Sequence, residues 1–182
     1  MTIQLDELLE VYEQSIKNFH MLMSRRVKDI LIVTSLFDAC IINQEARLED
    51  RLEAVYRARE HGRPPAVTWV HSARETLNCL EDRDFDLVIT TLRLADEQAA
   101  DLGPAIKSRW PQIPVLLLLH EPLAVRHLRQ GAVMPAGIDQ VFVWSHDSDQ
   151  VMAMIQYAED VLNIQQDTQR CNIPVILLVG AS

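Results

Sequence analysis

The chain lacks the features that mark nucleotide-binding, membrane-spanning and secreted proteins. Only five of its 182 residues are glycine, and it contains neither a G-x-G-x-x-G pattern nor a P-loop. Its apolar runs are far shorter than the ~20 residues that a bilayer-spanning helix needs. Its first residues are polar and acidic, unlike those of a secretory signal. We therefore expect no glycine-rich phosphate-binding turn, no membrane span and no secretion.

Positive charge and cysteine are also scarce. The chain has 17 Lys and Arg against 26 Asp and Glu, a net charge of −9. Nucleic acids and anionic membranes attract clustered Lys and Arg, so we expect neither as a partner. Cys40, Cys79 and Cys171 are isolated along the chain. We expect them to be buried free thiols in a reducing cytoplasm, and we expect no metal site and no cofactor.

What is present is a regular alternation of short apolar strands and helices. The predicted strands are 27–33, 66–70, 86–90, 115–119 and 138–144. The predicted helices that follow them are 38–61, 73–80, 98–109, 122–130 and 149–166. This alternation predicts an α/β fold, a doubly wound five-stranded parallel sheet of flavodoxin-like order.

Two further segments extend this core. Residues 4–25 predict a helix with an apolar stripe at alternating spacings of four and three, formed by Leu5, Leu9, Tyr12, Ile16, Phe19 and Met23. The stripe either packs on its own domain or joins two chains as a homodimer seam. Residues 173–179 predict a sixth strand that no helix follows. Three placements are open: the strand extends the sheet edge, pairs with another chain, or begins a second domain. Because an exposed apolar strand is an aggregation hazard, we favour the last.

Four segments resemble the receiver domain of bacterial response regulators, namely residues 30–33, 85–89, 113–117 and 137–143. The resemblance covers about residues 27–165 and implies a receiver-like, flavodoxin-like fold. It divides the chain into an N-terminal amphipathic helix (1–26), a receiver-like domain (27–168), and a linker and strand that open a second receiver-like domain (169–182). This arrangement resembles the N-terminal receiver-like region of larger bacterial signalling proteins.

The phosphate chemistry of that family uses five positions, and none keeps its usual residue here. The resemblance aligns Thr34 and Ser35 with the Mg²⁺-binding acids, and Thr91 with the phosphoacceptor Asp. It aligns Leu119 and Trp144 with the Thr or Ser and the Lys that contact the phosphoryl group. A hydroxyl without a neighbouring base is a weak nucleophile, and a hard dication needs oxygen ligands. We therefore carry over no catalytic or metal-binding residue.

The resemblance and its departures together predict a non-enzymatic pseudo-receiver, a regulatory and protein-interaction module of two-component signalling. The expected partners are a second copy of the chain, downstream domains of the same polypeptide, or a sensor kinase. Two alternatives stay open. One is an atypical phosphoacceptor in a phosphorelay that uses Asp38, Asp96 or a threonine. The other is a small-ligand sensor that uses the hydroxyl groups at the ends of strands one and three.

Overall fold

The computed structural model describes residues 24–46, 48–58, 63–92, 94, 99–119, 135–144 and 149–169. Five strands lie within these ranges, namely β1 (Asp29–Val33), β2 (Ala66–Val70), β3 (Leu87–Thr91), β4 (Val115–Leu119) and β5 (Gln140–Val143). The helices there are α1 (Leu36–Ala46), α2 (Leu48–Ala58), α3 (Ala73–Asp82), α4 (Ala99–Arg109) and α5 (Asp149–Gln169).

The five strands form one parallel sheet in the order β2-β1-β3-β4-β5. This confirms the predicted doubly wound α/β fold of flavodoxin-like order. β1, β3 and β4 take the three inner places and are buried along almost their whole length, because a strand covered on both faces must be largely apolar. β2 and β5 form the two edges and are only partly buried.

The core on one side of the sheet joins inward-facing residues of the inner strands with α3 and α4. It includes Leu31, Val88, Leu117, Leu80 and Ile106. α3 begins with a capping box, as predicted from Ser72 and Glu75, because the Ser72 hydroxyl accepts the Glu75 N–H at 3.2 Å. The sheet and its helices thus hold the carboxyl ends of β1, β3 and β4 along one edge, where doubly wound sheets bind ligands.

The first long helix differs from its prediction in two respects. A single helix was expected over 38–61, and the structure has two helical segments, α1 and α2. The first begins at Leu36 because Ser35 caps it, its Oγ accepting the N–H of Asp38 at 3.1 Å. α2 buries Leu48 and Leu52 on one face, whereas α1 leaves its first two apolar residues exposed.

The turn before β5 depends on two glycines that approach each other closely. β5 begins two residues later than predicted because Ile138 closes a turn, donating its N–H to the Pro135 carbonyl at 3.2 Å. Gly137 in this turn has a φ of 73°, which favours glycine. A Cβ on Gly137 would lie 2.3 Å from the carbonyl carbon of Gly103 in α4. Glycine at both positions therefore lets α4 pack directly on the turn.

Other expectations fall outside the described residues or are corrected by the structure. The predicted helix 122–130, the strand 173–179, Cys171 and the stripe from Leu5 to Met23 lie outside them. Ser24 and Arg25 are described and are not helical, so the N-terminal helix cannot extend to residue 25. Cys40 and Cys79 are free thiols, but Cys40 is exposed and Cys79 half-buried, so the expectation of burial is wrong for Cys40. No described helix is long and apolar enough to cross a membrane.

The chain divides into two compact units. Val27–Ala158 form the unit that contains the sheet. Met1–Arg26 and Glu159–Ser182 form the other, which the structure describes at residues 24–26 and 159–169.

Candidate functional site

Two threonines meet where β1 and β3 end side by side. The register pairs Val33 with Thr90, so Thr34 and Thr91 are the next residues along the two neighbouring strands. The Thr91 hydroxyl donates a hydrogen bond to the Thr34 hydroxyl oxygen at 3.1 Å. Thr34 is 0% exposed and Thr91 is 2% exposed. The two positions that the resemblance aligns with a metal-binding acid and the phosphoacceptor Asp thus hold a buried, mutually bonded hydroxyl pair.

Hydrogen bonds of the Thr34 backbone connect this pair to the end of β2. Thr34 donates its N–H to the Val70 carbonyl at 3.0 Å. The Thr34 carbonyl accepts a hydrogen bond from Nδ1 of His71 at 3.0 Å. Because a carbonyl can only accept, His71 carries a proton on Nδ1. The His71 N–H is bonded to a carboxylate oxygen of Glu75 at 2.9 Å. The ends of β1, β2 and β3 are therefore joined through Thr34.

Ser35, the second predicted acid position, serves the backbone. Its hydroxyl caps α1 through the N–H of Asp38, and its carbonyl accepts the N–H of Ala39 at 2.9 Å. Asp38, an alternative acceptor in the sequence analysis, lies in the first turn of α1, where a carboxylate is favoured by the helix dipole. Asp96, the other alternative, lies outside the described residues. Ser35 and Asp38 thus form the start of a helix.

Leu119 and Trp144 meet at the ends of β4 and β5. The Trp144 N–H donates to the Leu119 carbonyl at 2.7 Å, which continues the parallel pairing one residue beyond β5. Both side chains are buried. Neither offers the hydroxyl or the ammonium group that contacts a phosphoryl group in a receiver.

The structure thus brings the predicted positions together in two pairs, Thr34 with Thr91 and Leu119 with Trp144. Across the described part of the chain, no three His, Cys, Asp or Glu side chains group closely enough to hold a metal ion. The hydroxyls that the ligand-sensor alternative requires are buried at Thr34 and Thr91 and already bonded to each other. The Thr34 and Thr91 hydroxyls thus serve hydrogen bonding within the fold.

Two carboxylates bind backbone groups of the sheet, but they lie at the amino-terminal ends of the strands. Asp86, just before β3, accepts the N–H groups of Lys28 and Asp29 at 2.8 and 3.1 Å through one carboxylate oxygen. Asp139, just before β5, accepts the Val115 N–H at 2.7 Å and binds Lys107 at 2.6 Å. Sequence reasoning missed this pairing, although an Asp directly before each of two strands was a visible signal.

An exposed apolar pair borders the site, and sequence reasoning missed it as well. Leu36 and Phe37 follow Ser35 at the start of α1 and are 68% and 74% exposed. Cys40, one helical turn further along, is also exposed. Isolated exposed apolar residues are common, whereas contiguous exposed apolar patches mark interaction surfaces.

No protein-family model and no curated protein matches this sequence. Solved structures do match its fold. The signal receiver domain of an HD domain-containing protein from Pseudomonas fluorescens Pf-5 is 19% identical with a TM-score of 0.57, over 79% of this chain and 94% of that one. The receiver domain of NtrX from Brucella abortus is 20% identical with a TM-score of 0.51, over 72% and 98%.

A structure named adenylate cyclase from Rhodopirellula baltica is 14% identical with a TM-score of 0.53, over 79% of this chain and 96% of that one. At such identities the similarity shows the fold alone. The chain has the fold of response-regulator receiver domains, as the resemblance of its strand segments predicted.

Proposed function

We propose that this receiver-fold chain is a non-catalytic pseudo-receiver, a regulatory and protein-interaction module of a bacterial two-component signalling protein. The buried hydroxyl pair of Thr34 and Thr91 carries the proposal. It stands where a receiver would hold a metal-binding acid and its phosphoacceptor, and it leaves neither group exposed to a phosphodonor.

The chemistry of phosphoryl transfer explains why this pair argues against phosphorylation. In-line transfer needs an accessible nucleophile and a cation that neutralises the phosphoryl oxygens. The Thr91 hydroxyl is buried, and it donates its proton to another hydroxyl rather than to a base. Thr34 and Ser35 supply no carboxylate for Mg²⁺. The reaction therefore lacks both of its requirements at these positions.

The same contacts support a module with one fixed conformation at this edge. The Thr91–Thr34 hydrogen bond joins the ends of β1 and β3 within the chain itself. Buried Trp144 continues the β4–β5 pairing, and we infer that its indole fills space that a phosphate would need. A module of this kind signals by presenting surfaces. Leu36 and Phe37, exposed beside the hydroxyl pair, are the apolar side chains that support an interaction role.

The proposed partners are a second copy of the chain and the domains or sensor kinase with which such a module works. We propose that the Leu5-to-Met23 stripe forms the homodimer seam. Its apolar residues repeat as in a coiled coil over about three heptads.

Intact-mass spectrometry after incubation with Mg²⁺ and acetyl phosphate tests the lack of phosphoacceptor chemistry. We expect no mass gain for this chain. A control receiver that retains its phosphoacceptor aspartate, treated in parallel, should gain one phosphoryl group. A stoichiometric gain on this chain overturns the proposal, and peptide mapping would then identify Asp38, Asp96 or a threonine as the acceptor. Light scattering after size exclusion tests the partner proposal, since a strict monomer at high micromolar concentration contradicts a homodimer.

A further inference from the structure

A buried polar clasp holds residues 24–26 to the second half of α5. Asn163 is fully buried, and its amide group bonds both backbone groups of Arg25, accepting the N–H at 2.9 Å and donating to the carbonyl at 2.8 Å. It also donates to the Glu159 carbonyl at 2.7 Å. The Glu159 carboxylate, 6% exposed, pairs with the Arg26 guanidinium at 2.7 Å. Because buried polar groups are costly unless bonded, this clasp fixes the segment on the helix.

The same half of α5 carries exposed apolar side chains. In the first half, Val151, Met154 and Ile155 are buried. Beyond Ala158, Val161 is 39% exposed and Ile164 is 49% exposed. They lie three residues apart and so share one face of the helix. We call Val161 and Ile164 the α5 stripe.

The charged side chains of α5 beside the stripe are acidic, and the helix itself supplies no basic residue to balance them. α5 contains no Lys, Arg or His. Asp160 and Asp167 lie four residues before and three residues after Ile164, and so border the stripe. Burial, and then the charges of Glu159 and Asp167, raise the pKa of Asp160.

A cation is nevertheless available in the same unit. Asn163 lies three residues after Asp160 and four before Asp167, and it holds the backbone of Arg25. Arg25 is exposed. The unit thus presents an apolar stripe, two acids and an arginine on its described residues, which is a self-complementary set for a two-fold axis.

We propose that the second half of α5 and residues 24–26 form a homodimer surface that receives the same surface of a second copy of the chain. Val161 and Ile164 lie at its centre, and Arg25 of each copy faces Asp160 of the other copy. The inference rests on the homodimer in the proposed function, and it adds the described residues that make the contact and their charge pairing.

A second copy fits this surface better than an unrelated partner for two reasons. The surface carries both charge signs, so it is complementary to itself in an isologous contact. It is also continuous with the proposed seam, because the clasped residues 24–26 directly follow the Leu5-to-Met23 stripe. Stable interfaces bury about 1,200–2,000 Å² in total, so the α5 stripe supplies only part of the contact.

Sedimentation velocity of the full chain tests the α5 stripe with a matched control. Val161→Glu and Ile164→Glu each place a charge in the proposed interface, and we expect each to raise the dimer Kd by about tenfold or more. Val143→Glu alters another exposed valine, 44% exposed on β5, and we expect it to leave the Kd unchanged. An unchanged dimer Kd in both α5 variants overturns the inference and leaves the homodimer itself intact.

A charge exchange tests the pairing separately from the apolar stripe, because the mixture of two variants reports on charge complementarity. Asp160→Arg alone sets arginine against Arg25 across the axis, and Arg25→Asp alone sets aspartate against Asp160. Each variant should therefore dimerise poorly. An equimolar mixture should form heterodimers with both pairs restored, which native mass spectrometry resolves by mass. Homodimers of undiminished affinity and no preference for the mixed species overturn the inference. A wild-type monomer overturns it together with the homodimer, while the acetyl phosphate result stands separately.

Discussion

The substitution Thr91→Asp tests the buried hydroxyl pair of Thr34 and Thr91 quantitatively. It introduces the carboxylate that a phosphorylatable receiver carries at the position aligned with Thr91. Thr91 is 2% exposed, and its hydroxyl bonds the Thr34 hydroxyl. A carboxylate left there without a cation is a buried unpaired charge, which costs about 3–5 kcal/mol. The free energy of unfolding of a domain is about 5–15 kcal/mol, so the variant should lose a large part of its stability. Thr91→Val, the control of similar shape, removes the hydroxyl with its hydrogen bond to Thr34 and should cost about 1 kcal/mol.

Urea unfolding followed by circular dichroism measures both variants, and pH separates charge from shape. Burial raises the pKa of the introduced carboxyl above its unfolded value of about 3.9. Its cost is therefore full above the folded pKa and disappears as the pH falls below the unfolded value. The stability gap between Thr91→Asp and Thr91→Val should close on acidification and should not respond to Mg²⁺ at neutral pH. Equal stability of the two variants at neutral pH, or rescue by Mg²⁺, would refute the sealed hydroxyl pair.

Three further substitutions probe the rest of the chain by thermal or urea unfolding. Asn163→Ala removes the three hydrogen bonds that Asn163 makes in the clasp and should cost about 2 kcal/mol of stability. The control Gln156→Ala, on the exposed face of the same helix, should change stability by less than ~0.5 kcal/mol. Equal effects of the two substitutions would show that the clasp is not stabilising. Gly137→Ala puts a side chain at positive φ against Gly103 and should cost about 2–5 kcal/mol, so a wild-type Tm would contradict the close approach. At protein concentrations that keep the chain monomeric, Asp160→Asn removes the cost of burying this carboxylate and its repulsion from Glu159 and Asp167, and it should raise stability at neutral pH by a few tenths of a kcal/mol. Because the folded pKa of Asp160 is raised, that gain should vanish near pH ~4, and a gain that grew on acidification would contradict the cause given for the shift.

The strands were predictable because their signal is local. β2 and β4 occupy the predicted residues, since Pro65 and Pro114 precede apolar runs of strand length. The boundaries that moved depend on capping and on packing. α1 begins early because the Ser35 hydroxyl reaches the Asp38 N–H. β5 begins late because Gly137 adopts a turn that lies against α4.

The site divides in the same way. The residue types alone indicated that Thr34, Ser35 and Thr91 stand at the acid positions of the resembled family, since a strand segment and its following residues can be aligned by pattern. They did not indicate that two of these hydroxyls bond each other, that the third caps a helix, or that Leu36 and Phe37 would be exposed.

By itself, the order of residues determined the strand–helix alternation, because that alternation is a property of neighbours along the chain. Only the tertiary structure decided which distant groups pair. Thr34 meets Thr91 across 57 positions, and Arg25 meets Asn163 across 138. Such pairs form because the sheet brings strand ends together and because a buried polar group must find a partner wherever the fold places one. No periodicity in the sequence encodes that choice.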